Sequence, residues 1–185
     1  LRVVKFEVST GSGLMANHPV FSLDGEMMER ELSFAEQHRL VVVIDIGKLG
    51  SPSSQIDALR RAVLRHSKVK FVVCHLLAPK QSELSLMAAG LDALHLPNVW
   101  FDLASLQHNV RPDEAPYPVT RAFIHKAVEI VGAERLLFGT DLPSNLCKFS
   151  YADMVNTIAE DTVLAEEQRQ CILYNNALDV FWDGK

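Results

Sequence analysis

Glu134-Arg-Leu-Leu-Phe-Gly-Thr-Asp-Leu-Pro143 is the stretch on which the fold turns. Its apolar run, Leu136 to Phe138, reads as a strand that delivers Asp141 to its end. Gly139 reads as the site of a sharp backbone turn, and Pro143 cannot continue a ladder. The pattern predicts the Asp141 carboxylate at the rim of a sheet. The carboxyl ends of parallel strands are where α/β proteins carry out chemistry. Aspartate is also a common N-cap where a strand leads into a helix, so the meaning of Asp141 depends on the rest of the chain.

Upstream, strands and helices alternate. Val3 to Val8 reads as a strand, followed by a long Gly- and Ser-rich loop from Ser9 to Phe21. Leu23 to His38 carries a helical apolar stripe of Met27, Met28, Leu32, Phe34 and Ala35. Leu40 to Ile46 is a β-branched run, the mark of a strand covered on both faces, with Asp45 near its end. The spacing then predicts a helix over Gln55 to His66 and a strand over Val69 to Cys74. A helix over Lys80 to Leu94 and a strand over Val99 to Leu103 follow. Gln107 to Pro118 reads as a loop. A helix from Thr120 to Val131, stopped at Gly132, leads into the strand Arg135 to Phe138. Tyr151 to Asp161, Glu166 to Tyr174 and Asn176 to Phe181 close the chain as helices. No low-complexity segment or linker interrupts it, so residues 1–185 read as a single α/β domain.

Composition agrees. The 185 residues are 48% hydrophobic and 22% charged, ordinary for a globular protein with a real core. The net charge of −5, with no basic block, argues against nucleic acid and anionic membrane surfaces as partners. No apolar run approaches the ~20 residues that cross a bilayer. The three cysteines, Cys74, Cys147 and Cys171, are widely spaced and odd in number, which fits a reducing cytoplasmic setting.

Five strands alternating with helices imply βαβ units and a parallel sheet. Two architectures fit: an open five-stranded doubly wound sheet, complete as it stands, or part of a (β/α)8 barrel. The first would use Ser9-Thr10-Gly11-Ser12-Gly13 as a phosphate or flavin cradle. Such a cradle must run directly into a helix N-terminus, and about ten residues, Pro19 among them, intervene here. The motif therefore reads as a flexible loop.

The second architecture draws on a resemblance spread along the chain. Val72-Val-Cys-His75 ends a strand in histidine, as the sixth strand of the amidohydrolase-related family does. Asn98-Val-Trp-Phe-Asp-Leu-Ala-Ser105 resembles its seventh strand, and Glu134 to Pro143 its eighth. Glu167 to Phe181 is similar to its closing helix pair, and Val4 to Val8 and Val41 to Ile46 then resemble strands four and five. The resemblance implies a TIM-barrel hydrolase or decarboxylase of small carbonyl or carboxylate substrates. It also implies roles: Asp141 as metal ligand or proton shuttle, His75 as the group that polarises a carbonyl or donates a proton, and Asp45 in the position of a histidine ligand. The family's His-x-His pair, carried by its first strand, does not occur. Carboxylates bind zinc or manganese through oxygen, and some family members are metal-independent lactonases, so both kinds of site are compatible with Asp45.

Glu7, Ser9 and Asn145 are candidates for substrate contact. Each has a structural alternative, for Glu7 an interior ion pair with Lys5. Asp102 is a candidate supporting group behind the site. His38, His66, His95, His108 and His125 show no partner pattern and read as surface residues, and His18 as a solvated loop tip. The barrel reading predicts that residues 1–185 are not self-sufficient. Either an N-terminal segment of roughly one hundred residues, at ~30 per βα unit, precedes them, or the open edges pair with another chain as a homo-oligomer. The remaining class is a barrel remnant without catalysis.

Overall fold

The computed structural model describes residues 2–182. Five parallel strands, β1 (Val3–Glu7), β2 (Val41–Asp45), β3 (Lys70–Val73), β4 (Val99–Asp102) and β5 (Leu136–Leu137), lie in the order β1-β2-β3-β4-β5. Each new strand is added on the same side of the last. A doubly wound sheet instead reverses its strand order at a switch point, with helices on both faces. The sequential order therefore excludes the open doubly wound alternative and gives the layout of part of a (β/α)8 barrel.

The helices are α1 (Leu14–Asn17), α2 (Glu26–Gln37), α3 (Ile56–Arg65), α4 (Leu84–Ala93), α5 (Leu106–Asn109), α6 (Pro118–Val131), α7 (Tyr151–Ala159), α8 (Glu166–Gln170) and α9 (Asn176–Phe181). None is long and apolar enough to cross a membrane. Alternation along the strands divides the sheet into two faces. Val42, Ile44, Phe71, Val73, Val99, Phe101 and Leu136 point to one face. There they meet Met28 and Leu32 of α2, Leu59 and Val63 of α3, Met87 and Leu91 of α4, and Phe123 and Ala127 of α6 in the main core. Val41, Val72 and Leu137 point to the other face and form a smaller cluster with Val180 of α9, flanked by Val43, Trp100 and Phe181. That second face turns polar toward the carboxyl ends of the strands, where Glu7 and Asp45 are register partners, Cys74 follows β3 and Asp102 ends β4.

Four local expectations need correction. The loop Ser9 to Phe21 contains α1, too short to leave a periodic signal. The final strand is two residues long, ending well before Pro143. Gly139 does not make the left-handed turn. It is required because a Cβ would come within 2.9 Å of the Ala104 side chain, and Asp141 itself takes the left-handed conformation at φ 52°. The helix expected over Glu166 to Tyr174 is α-helical only to Gln170 and continues as a π-helical turn, Cys171–Asn175.

Candidate active site

The site is assembled where β2, β3 and β4 end. Asp45, the last residue of β2, is 8% exposed. Its Oδ1 accepts the backbone N–H of Gly47 at 2.9 Å, and its Oδ2 lies 3.0 Å from Nε2 of His75. Gly47 has φ 73° and lies so close to Ser53 and Ser9 that a Cβ would sit 2.8 Å from the Ser53 hydroxyl, so only glycine closes this turn. His75 opens a run of four residues with positive φ, His75 to Ala78, in which none is glycine. Such conformations cost of order 1–2 kcal/mol each and persist only when the surroundings fix them. Here Asp102 does the fixing: its Oδ1 accepts the N–H of His75 at 2.9 Å and the N–H of Ala104 at 3.0 Å. The turn aims the imidazole back across the strand ends.

The ring is held at both nitrogens. Nδ1 lies 3.0 Å from the carbonyl oxygen of Ala104. A carbonyl only accepts, so Nδ1 carries the proton and Nε2 faces Asp45. Burial alone would lower the His75 pKa, but the hydrogen bond to Asp45 and the charges of Asp102 and Asp45 raise it to about 9. Burial alone would raise Asp45, but the His75 and Gly47 hydrogen bonds hold it at about 2. Burial raises Asp102 above the usual carboxylate range, and it raises the Cys74 thiol, with the Asp102 charge adding to the effect. Glu7, register partner of Asp45, is raised by burial and by its carboxylate neighbour.

Asp141 lies across the cleft at the rim. Its Oδ2 accepts the hydroxyl of Ser105, a residue also in the left-handed region at φ 60°. Behind them Asn145, 4% exposed, donates its amide to Ser105 Oγ at 2.9 Å and to the Thr140 carbonyl at 2.8 Å. One cleft is lined by Glu7, Ser9, Asp45, His75 and Asp141, together with Ser105 and His108. Five of the six sequence candidates thus share it. Asn145 does not: it lines a separate pocket beneath the rim, with Leu106, Phe138 and Phe149.

Other assignments change. Lys5 and Glu7 form no ion pair among the described residues. His66 is buried, its Nε2 3.1 Å from Glu29 and its Nδ1 3.4 Å from Glu36 of α2. His125 pairs with buried Asp161 at 2.7 Å. His108 lines the cleft. The partners of His66 and His125 lie 30 or more residues away in sequence, so no local pattern announced them. Ser105 and His108 were missed because their importance comes from the turn after β4, whose left-handed residue is not a glycine.

No curated protein matches the sequence. Solved structures match it well. An amidohydrolase from Burkholderia multivorans, solved with HEPES and in another crystal form with zinc, is 20% identical with a TM-score of 0.79. A candidate 2-pyrone-4,6-dicarboxylic acid hydrolase from Pseudomonas putida is 19% identical at 0.74, and 2,6-dihydroxybenzoate decarboxylase from Rhizobium is 15% identical at 0.59. The alignments cover 98%, 98% and 99% of this chain but 64%, 63% and 62% of those proteins, so the chain spans under two thirds of their length. At these identities the likeness establishes the fold. The family profile described as Amidohydrolase matches residues 10–181, nearly the whole chain, and with it the chain belongs to the amidohydrolase family.

Proposed function

We propose that residues 1–185 form a single α/β unit whose cleft hydrolyses or decarboxylates a small carbonyl or carboxylate substrate, with Asp141 as the proton-transfer group. The observation that carries this reading is convergence. Asp45, His75 and Asp141 come from three separate strand ends and line one cleft at the catalytic rim of the fold. Asp141 is the exposed member, so one of its oxygens is free to take a proton from water while Ser105 holds the other.

The residues fit a divalent ion such as zinc or manganese. The Ala104 carbonyl commits Nδ1 of His75 and presents Nε2 beside the Asp45 carboxylate, a nitrogen–oxygen donor pair suited to either metal. Cys74 belongs to the same cluster, but burial keeps its thiol protonated and makes it the poorer ligand. Asp45 and His75 would hold the ion, with Asp141 on the open side. When bound, such an ion lowers the pKa of a coordinated water to ~7. Asp102 keeps the His75 backbone in place throughout.

A metal-free reading is favoured by one observation, the Asp45–His75 ion pair. It keeps His75 protonated at neutral pH, and the Nε2 proton it shares with Asp45 is the one the imidazole would give to a carbonyl oxygen that displaces that carboxylate. Equilibrium dialysis against zinc and manganese separates the two. Stoichiometric binding that falls about tenfold or more in His75→Asn supports the metal site. Equal binding by wild type and variant removes that assignment, and turnover that survives chelation establishes the metal-free route.

A further inference from the structure

His108, at the end of α5, sits between two cations. The guanidinium nitrogen of Arg111 lies 3.3 Å from its Nε2, and the ammonium of Lys148 lies 2.9 Å from its Nδ1. A neutral imidazole has one N–H and one lone pair, whereas guanidinium and ammonium groups only donate. In either tautomer one ring N–H therefore meets another donor, and a protonated ring would meet two. Burial, followed by the charges of Arg111 and Lys148, lowers the ring's pKa, so protonation gives no relief. The Asp141 carboxylate opposes these charges across the cleft, and Lys48 adds a weaker third positive charge; Lys48 and the ring both line the cleft that holds Asp141. Among the described residues none of Lys48, Arg111 and Lys148 has a carboxylate within ion-pairing distance. A chain of net charge −5 thus gathers three cations around one cleft-lining ring, Lys48 within the cleft and Arg111 and Lys148 against the ring, and among the described residues none of the three is paired with a carboxylate.

Arg111 is pinned, since its Nε donates to the His108 backbone carbonyl at 2.9 Å and fixes the guanidinium beside the ring. A planar guanidinium, an adjacent ammonium and an imidazole N–H together present the donors that a carboxylate accepts. We infer that His108, Arg111 and Lys148, with Lys48 in support, form a receptor for a carboxylate of the substrate remote from the reacting carbon. An anion seated there lets Lys148 swing from the ring nitrogen to an oxygen and gives the surplus N–H an acceptor. The inference rests on the function proposed above and narrows it. The substrate carries an anionic group on one side, at His108, and presents its carbonyl or second carboxylate toward His75 and Asp141.

Binding tests this without knowledge of the natural substrate. Isothermal titration compares glutarate with the neutral, nearly isosteric glutaramide on the 185-residue protein. Glutarate is expected to bind about tenfold or more tightly, as charge-assisted hydrogen bonds imply. Arg111→Met/Lys148→Met should erase that preference, and glutarate should shift the His108 ring resonances in wild type only. Equal binding of the two probes by wild type, or a preference intact in the double variant, overturns the receptor. The outcome is separable from the parent reading. Loss of the preference in a protein whose turnover is indifferent to Asp141→Asn leaves the receptor standing and removes the chemistry. Turnover that depends on Asp141 with an unchanged KM in the double variant does the opposite.

Discussion

The two faces of the one sheet are built to different rules. On the helix-covered face, β2 to β5 contribute fully enclosed apolar side chains, with Ile44, Phe71, Val73, Phe101 and Leu136 all at 0% exposure, while Val4 and Phe6 of β1 are half-buried against them. On the opposite face the same strands carry Lys5, Glu7, Asp45, Cys74 and Asp102, and only their amino-terminal halves are packed, by α9. A strand's period of two makes this possible: β2 supplies Val42 and Ile44 to the core and Asp45 to the cleft, within four residues. Burial of apolar area stabilises the first face. The second carries polar groups whose burial opposes folding, and there Asp45 is held by His75 and Gly47 and Asp102 by two backbone amides.

The comparison breaks if the two faces respond alike to mutation. The largest expected effect lies on the covered face. Phe71→Ala should cost about 3–5 kcal/mol in denaturant unfolding. Asp102 comes next, because its carboxylate accepts two backbone amides, those of His75 and Ala104. Asp102→Leu should cost about 1–3 kcal/mol for each orphaned amide, while Asp102→Asn, which keeps an acceptor oxygen, should cost less. A Leu variant as stable as wild type would mean that the strained His75 turn does not need its anchor.

The Asp45–His75 pair gives a smaller, pH-dependent contribution. The His75 pKa is raised from 6.5 to about 9 on folding, so its share is complete below 6.5 and is lost as pH rises through 9. The Asp45 pKa is lowered from 3.8 to about 2, so its share is complete above 3.8 and is lost as pH falls through 2. The stability difference between wild type and His75→Gln should therefore be greatest between pH about 4 and 6.5 and shrink outside that window. A difference that is flat from pH 4 to 10 would deny the ion pair.

How much of this was legible in the sequence follows from the range of each interaction. Apolar runs such as Leu40 to Ile46 and Val69 to Cys74 declare strands locally, and their order predicts a parallel sheet. The placement of Asp45, His75 and Asp141 near strand ends could be read from the sequence because Asp45 closes such a run, His75 follows one directly and Asp141 comes three residues after one. Asp102 was legible only as a supporting group, since its partner His75 lies 27 residues away. The turn from His75 to Ala78 was illegible, because tertiary bonds impose a backbone that Leu76 and Leu77 do not prefer. His108 was read as surface because nothing near it in sequence says that Lys148, 40 residues on, reaches its ring.

The central claim is that the exposed carboxylate at the rim serves chemistry and not the fold. Turnover and unfolding measured together on Asp141→Asn in the active protein test it most directly. The account predicts a fall in kcat of about a hundredfold or more, with stability within about 0.5 kcal/mol of wild type. Unchanged turnover, or a loss of activity that merely follows a loss of folded protein, would contradict it.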